Sequence, residues 1–273
     1  GAAIAISGSV VLRVLCGTES RPETLQAPII VAFIISCLVA MAFGAFNGTL
    51  VAYFKIQPMV ATLILFTAGR SIAAWINNNE LPIVSDVTFS YFGGFLPGIP
   101  IPTSFFIALA CMIATALIFK FTSLGLYIQS VGINENSARL NGLNPAFIKF
   151  ITYVILGLFV AVAGFIKVSR LSTINYSVVA KDIEMDAILA VALGGNALSG
   201  GKFNISASVI GAYVIQFLTT TLYKLEVSSD ALSAYKAIVV IVLVVMSAPI
   251  VREKLAALMK IIKTKFAAAK SAT

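Results

Sequence analysis

The chain has 273 residues, 59% of them apolar and only 11% charged, with a net charge of +8 and no histidine. A mean hydropathy of +1.00 rules out an ordinary water-soluble class, and the long apolar runs fit the ~20 residues that carry a helix across ~30 Å of hydrocarbon. Backbone groups in lipid must be satisfied within the segment, and the short alternating strands of a transmembrane barrel are missing, so the expected fold is an all-α, polytopic helix bundle.

About seven to eight membrane segments follow in chain order. Residues 1–16 read as the remainder of a span, which opens at Gly1 without a Met. Residues 28–54 are a long span that ends before Lys55, and 57–77 run from Gln57 to Asn77. Residues 101–121 follow a Pro-rich stretch with no helical pattern before Thr103. Residues 148–167 come next, then 183–195, apolar but short for a span, and 205–223 and 234–251 close the bundle. Residues 1–251 read as one transmembrane domain, and 252–273 as a basic tail.

The charges orient these segments. Loop 78–100 holds Glu80 and Asp86 but no Lys or Arg, which places it outside. The tail carries Arg252, Lys254, Lys260, Lys263, Lys265 and Lys270. The positive-inside rule makes it cytoplasmic, and it reads as a juxtamembrane tail on anionic lipid rather than a nucleic-acid surface. Loop 122–147 is then cytoplasmic too, and the spans alternate consistently between these anchors if 183–195 crosses at least most of the way.

That loop contains the Asn-rich stretch VGINENSARLNGLNP (131–145). Asn134 is a good N-cap, Glu135 sits in the first turn, and Gly142 is a good stop with Pro145 just beyond. A helix over 135–141 follows, with Glu135 and Arg139 at i, i+4 in the favourable order. So short a helix is marginal alone. It is either an ordinary capped loop helix or a piece supported by a partner.

The second unusual stretch is KDIEMDAILAVALGGNALSGGKFN (181–204). Asp182, Glu184 and Asp186 precede a short apolar run, and Gly194, Gly195, Gly200 and Gly201 flank Asn196. Such Gly-interrupted segments occur as broken helices on transport paths, and equally where helices pack closely through small residues. It is not a phosphate loop: that pattern needs a glycine at 196 and a hydroxyl residue at 203, where the chain has Asn196 and Phe203. ATP, if used, is hydrolysed by another chain.

All 11 carboxylates fall in loops or at segment ends, which disfavours proton or sodium coupling at membrane depth. Arg70 lies well inside its segment, either as a functional cation, or paired with backbone carbonyls, or snorkelling outward. Asn47, Gln57, Thr62, Trp75, Asn77 and Asn196 are polar residues suited to a hydroxyl-rich solute, although such residues also serve as helix-to-helix hydrogen bonds. Cys16, Cys37 and Cys111 lack metal-ligand spacing and read as packing residues.

Several stretches carry a resemblance: ISGSV near the start, FNGTLVAYFKIQPMVATLILFTAGR (46–70), VGINENSARLNGLN, and IEMDAILAVALGGNALSGG (183–201). In these, over almost its whole length and in order, the chain resembles the membrane permease of bacterial ribose-type ATP-binding cassette sugar importers. KIQPMVATLIL and GGKFNISASVIGAYVIQ look most like permeases of galactofuranose importers. The resemblance implies further spans and a DLSVG-like motif ahead of Gly1. It implies a bacterial inner-membrane protein that receives a monosaccharide from a periplasmic binding protein and pairs with a second permease, identical or paralogous. It implies an ATPase partner that holds ATP and Mg, with no cofactor or metal on this chain and no covalent catalysis. The helix within 134–142 is then a coupling helix that docks on the ATPase, with Asn134, Glu135, Ser137, Arg139, Asn141 and Gly142 as its residues. The alternatives are the same machinery for a branched-chain amino acid or nucleoside, and an ATP-independent facilitator.

Overall fold

The computed structural model describes residues 1–238 apart from 18, 20, 23, 96, 97, 99, 197–199, 202, 227, 229, 230, 232 and 233. The expected span 234–251 beyond residue 238, and the tail 252–273, lie outside the described residues. Ten helices run in chain order among the described residues: α1 (Ala2–Cys16), α2 (Ile29–Ala52), α3 (Pro58–Ile76), α4 (Val87–Gly93), α5 (Thr103–Phe121), α6 (Ser123–Ile133), α7 (Glu135–Leu140), α8 (Pro145–Leu171), α9 (Ile183–Leu193) and α10 (Ile205–Lys224). Of these, α2, α3, α5, α8 and α10 are long and apolar enough to cross a membrane, and α1 and α6 are shorter apolar helices. The all-α polytopic expectation holds.

The chain forms two compact units, one over Gly1–Ile183 and one beginning at Glu184. In the first, α1 lies at the centre, against α2, α3 and α8. Ile6, Val11, Leu12 and Leu15 of this helix are each at most 1% exposed, so protein rather than lipid surrounds it. Phe165 of α8 gathers Phe33, Phe89 and Phe92 edge-on, with ring centroids 5.1, 5.6 and 5.5 Å away. Such edge-to-face pairs add roughly 0.5–1.5 kcal/mol each beyond their buried area.

Helices α2 and α8 meet through small residues. Ala40, Gly44 and Gly48 recur every fourth position on α2; Ala40 and Gly44 face Gly157 of α8, and Gly48 faces Phe150 and Tyr153. A Cβ on Gly44 would lie 2.5 Å from the Tyr153 carbonyl oxygen, and one on Gly157 2.5 Å from that of Ala40. Lipid tails are as apolar as Leu, so helices in a bilayer associate by such close packing rather than by the hydrophobic effect. Ser7 of α1 and Ser36 of α2 add a polar tie, their hydroxyl oxygens 2.8 Å apart. Ser7 Oγ also donates to the Ala161 carbonyl at 3.2 Å and Ser36 Oγ to the Ser7 carbonyl at 3.1 Å.

Two helices are absent from the sequence expectation. Loop 78–100 contains α4, capped by Asp86, whose carboxylate accepts from the Phe89 N–H at 3.0 Å. Phe89 and Phe92 turn one face of it onto Phe165, and Ser169 Oγ donates to the Phe89 carbonyl. Loop 122–147 is mostly helical. Between α5 and α6 the chain breaks only at Thr122, which has extended backbone. Helix α8 starts at Pro145, three residues earlier than expected, because Asn144 caps it by accepting from the Phe147 N–H at 3.3 Å.

In the second unit, α9 has 11 residues. At 1.5 Å per residue it rises roughly 16 Å, about half of a hydrocarbon core, so it does not cross a bilayer alone. GAFNGTLVAYF (44–54) and GKFNISASVIGAYV (201–214) share a Phe-Asn pair that stands in different local structure. Asn47 lies mid-helix in α2, whereas Asn204 caps α10.

Candidate functional site

The α7 region is built from local hydrogen bonds. The Asn134 side chain accepts from the Ser137 N–H at 3.1 Å and so satisfies one of the helix's free donors. At the other end the Gly142 N–H donates to the Arg139 carbonyl and the Leu143 N–H to that of Ala138, both at 3.1 Å. This is a Schellman stop, and Gly142 takes the left-handed φ of +80° that it needs. The Asn141 side chain donates back to the Ser137 carbonyl at 2.8 Å. Ala138 is buried with Val131 of α6 and Ile148 of α8, and Leu143 packs beside them. That small cluster supplies the support a six-residue helix lacks by itself.

The charges pair differently from the i, i+4 expectation. Glu135 accepts from Lys149 of α8 at 2.5 Å, and Arg139 makes no ion pair among the described residues. Both side chains of the Glu135–Lys149 pair are more than a third exposed, so it contributes under about 1 kcal/mol and serves chiefly to link α7 to the next span. Leu140 at the end of α7 is 89% exposed.

Gln57 joins this region. It stands at the N-cap of α3 and lines a cavity of about 790 Å³ with Lys55, Glu135, Arg139 and Lys149. It is therefore at the opposite end of α3 from Arg70 and Trp75. Thr62 lies one turn further in, its hydroxyl donating to the Pro58 carbonyl of its own helix at 2.9 Å. Trp75, in the last turn of α3, is 77% exposed. Asn47 is half-buried in α2 and Asn77 is buried just past α3.

Arg70 is tied to backbone carbonyls. Its Nη1 donates to Tyr176 at 2.9 Å and Ser177 at 3.0 Å, with a longer contact to Val179 at 3.4 Å. Its guanidinium also lies 4.8 Å from the Phe66 ring centroid, within cation–π range. The segment after α8 is pinned further by the Val84 N–H to Ser172 carbonyl bond and by Tyr176 Oη to the Asn79 carbonyl. Replacing Arg70 with methionine should lower the melting temperature of the purified protein, since charged hydrogen bonds contribute about 1.5–3 kcal/mol. Lysine, which keeps the charge without the fork, should recover part of the loss. Equal melting of all three proteins would refute the clamp.

In the second unit Gly195 ends α9 with a φ of +76°. The Gly195 N–H donates to the Ala192 carbonyl and the Asn196 N–H to that of Val191, again a Schellman stop. A Cβ on Gly194 would lie 2.7 Å from the Ala207 carbonyl of α10, so this glycine serves close packing. Gly200 and Gly201 hold φ of +96° and +107°, a region suited to glycine. The Asn196 amide is fully engaged. Its nitrogen donates to Ser208 Oγ at 2.8 Å, and its oxygen accepts from the Asn204 N–H at 2.5 Å. Asp186, in the first turn of α9, pairs with Lys236 at 2.8 Å. The glycines thus stop α9, pack it against α10 and turn the chain.

Apolar spans zipped together through small residues define a polytopic helical membrane protein. The family described as "Branched-chain amino acid transport system / permease component" matches residues 1–248. The fructose import permease of Bifidobacterium longum (strain NCC 2705) is 34% identical over 254 residues, covering 91% of this chain and 68% of that protein. The galactofuranose transporter permease of Escherichia coli (strain K12) is 36% identical over 249 residues, covering 90% and 70%. The ribose import permease of the same strain is 33% identical over 248 residues, covering 89% and 74%. No solved structure matches the chain. The chain belongs to the permease family of bacterial ribose-type ATP-binding cassette importers, as the sequence resemblance implied. Its members are transporter membrane subunits rather than enzymes.

Proposed function

We propose that this chain, paired with an identical or paralogous permease, forms the translocation path of a monosaccharide importer of the galactofuranose, ribose or galactose kind. A periplasmic binding protein delivers the sugar. A separate ATPase subunit binds ATP and Mg, and its closure drives alternating access through α7. The protein sits in the bacterial inner membrane with α7 on the cytoplasmic side, and the C-terminus lies there too where α9 and the chain after it together complete one crossing. The observation that carries the coupling role is α7 itself: six residues capped at both ends, linked to α8 through Glu135 and Lys149, with Leu140 projecting. The sugar assignment rests on relatives whose names specify fructose, galactofuranose and ribose.

The family description favours a second reading, a branched-chain amino acid. A zwitterion needs charge partners or free helix ends near the path. Arg70 uses Nη1 on backbone carbonyls, but its buried Nη2 has no partner, so this cation does not decide between the two solutes and the sugar reading rests on the named relatives.

Gentle purification of the full-length protein from native membranes, followed by mass spectrometry, tests the assembly. The expected companions are an ATPase and, if the pairing is heteromeric, a second permease. A folded preparation that carries no ATPase even after mild crosslinking would refute the reading, and uptake into liposomes without ATP would then test a facilitator. Binding of a panel of sugars, amino acids and nucleosides to the cognate binding protein identifies the solute.

A further inference from the structure

The cavity of about 790 Å³ beside α7 is assigned no ligand by anything above. It is bounded by the end of α2 and its turn (Ala52, Tyr53, Lys55), the start of α3, α7 (Glu135, Arg139) and the start of α8 (Lys149). Three cations face one carboxylate there, and Glu135 is already matched by Lys149. Lys55 and Arg139 are left as surplus positive charge, with no ion pair among the described residues. The N-terminal ends of α3 and α8 line the same space, and their partial positive charge adds to it. Lys55 takes a left-handed backbone with φ of +55° in the α2–α3 turn.

We propose that this cavity binds the phosphate of an anionic phospholipid headgroup. Its position decides between this occupant and an acidic protein segment. The cavity opens where two spanning helices meet their connecting turn, and it reaches back to Val51 and Ala52 of the α2 span. The same turn carries Tyr53, Phe54 and Ile56, all exposed, with Phe54 at 69%. Aromatic and apolar side chains beside cations at the end of a span match a lipid, with acyl chains on one side and phosphate on the other. The lipid would bridge the α2–α3 turn to α7. The inference rests on the membrane fold and not on the coupling role of α7.

The test is native mass spectrometry of the full-length protein released from bilayers of phosphatidylcholine with added phosphatidylglycerol. Wild type should retain phosphatidylglycerol. The K55N, R139Q double variant should retain about tenfold less, the loss expected for ~1.4 kcal/mol of binding. Asn suits the left-handed backbone at position 55, and Lys55→Arg, which keeps the charge, should retain the lipid. This readout does not involve the ATPase, so its failure leaves the importer reading standing. Equal retention by wild type and the double variant overturns the proposal. So does equal thermal stabilisation by inorganic phosphate in pure phosphatidylcholine, which would make the site one for free phosphate. A double variant that loses the ATPase while wild type retains no phosphatidylglycerol overturns it in favour of an acidic protein surface.

Discussion

Gly157→Val should abolish recovery of folded, monodisperse protein. The first atom of any added side chain would lie 2.5 Å from the Ala40 carbonyl oxygen and 3.0 Å from the Met41 Cα. Both are backbone atoms of α2, so no rotamer change on the neighbouring helix relieves the clash. Overpacking of a tight core costs typically about 1–3 kcal/mol, and a rigid backbone contact belongs at or above the top of that range. The α2–α8 pair also positions Ala161, which accepts the Ser7 hydroxyl bond, so separating the two helices loosens the support of α1. Gly157→Ala should be intermediate. Leu156→Val, at the adjacent exposed position, should be near neutral. The measurement is size-exclusion elution of detergent-solubilised protein with its melting curve. A Gly157→Val protein that elutes and melts like wild type would show that the small-residue seam does not hold these helices together.

The helices were largely legible because a bilayer leaves the backbone little choice. An apolar run of about 20 residues has to close its hydrogen bonds internally; α2, α3 and α5 form within the runs that announce them, α10 matches its run to one residue, and α8 overruns its own at both ends. α7 was legible for a different reason. Asn134 and Gly142 carry local capping chemistry that works in any surroundings. The same chemistry stood unread at Asp86 and Asn144, each a capping residue ahead of an aromatic, and both α4 and the early start of α8 follow from them. What stayed hidden is what each face touches. A glycine in an apolar run fits a lipid-facing, packed or broken position equally well, so nothing in the sequence pairs Gly44 with Tyr153 or Gly194 with Ala207. Arg70 had three possible fates, and the one realised depends on carbonyls more than 100 residues later. Gln57 read as a path residue because its amide suits a hydroxyl-rich solute, and nothing in the sequence places it on the cavity that Glu135 and Arg139 share.

Replacing Glu135 and Arg139 together by glutamine should lower sugar-stimulated ATP hydrolysis about tenfold in the reconstituted importer, with membrane insertion and melting nearly unchanged. Coupling free energies of roughly 1–3 kcal/mol correspond to changes of about 5–150-fold, and tenfold sits at the modest end. Insertion should survive because α7 is held by its caps and by the Ala138, Val131 and Ile148 cluster, none of which the substitutions touch. The exposed Glu135–Lys149 pair adds little stability. It does, however, couple the position of α7 to α8, a helix that runs for 27 residues against α1 and α2. Breaking that link lets α7 shift without moving the span. Lys149→Gln, which cuts it from the other side, should reproduce part of the loss, and Leu140→Ala should reduce ATPase affinity more than coupling. Because Arg139 also borders the basic cavity, Lys55→Asn is the control. If it alone reproduced the full loss, charge in the cavity rather than the α7–α8 link would govern coupling. If the Glu135, Arg139 double variant kept wild-type stimulation by sugar, α7 would not be the element that transmits the ATPase's closure.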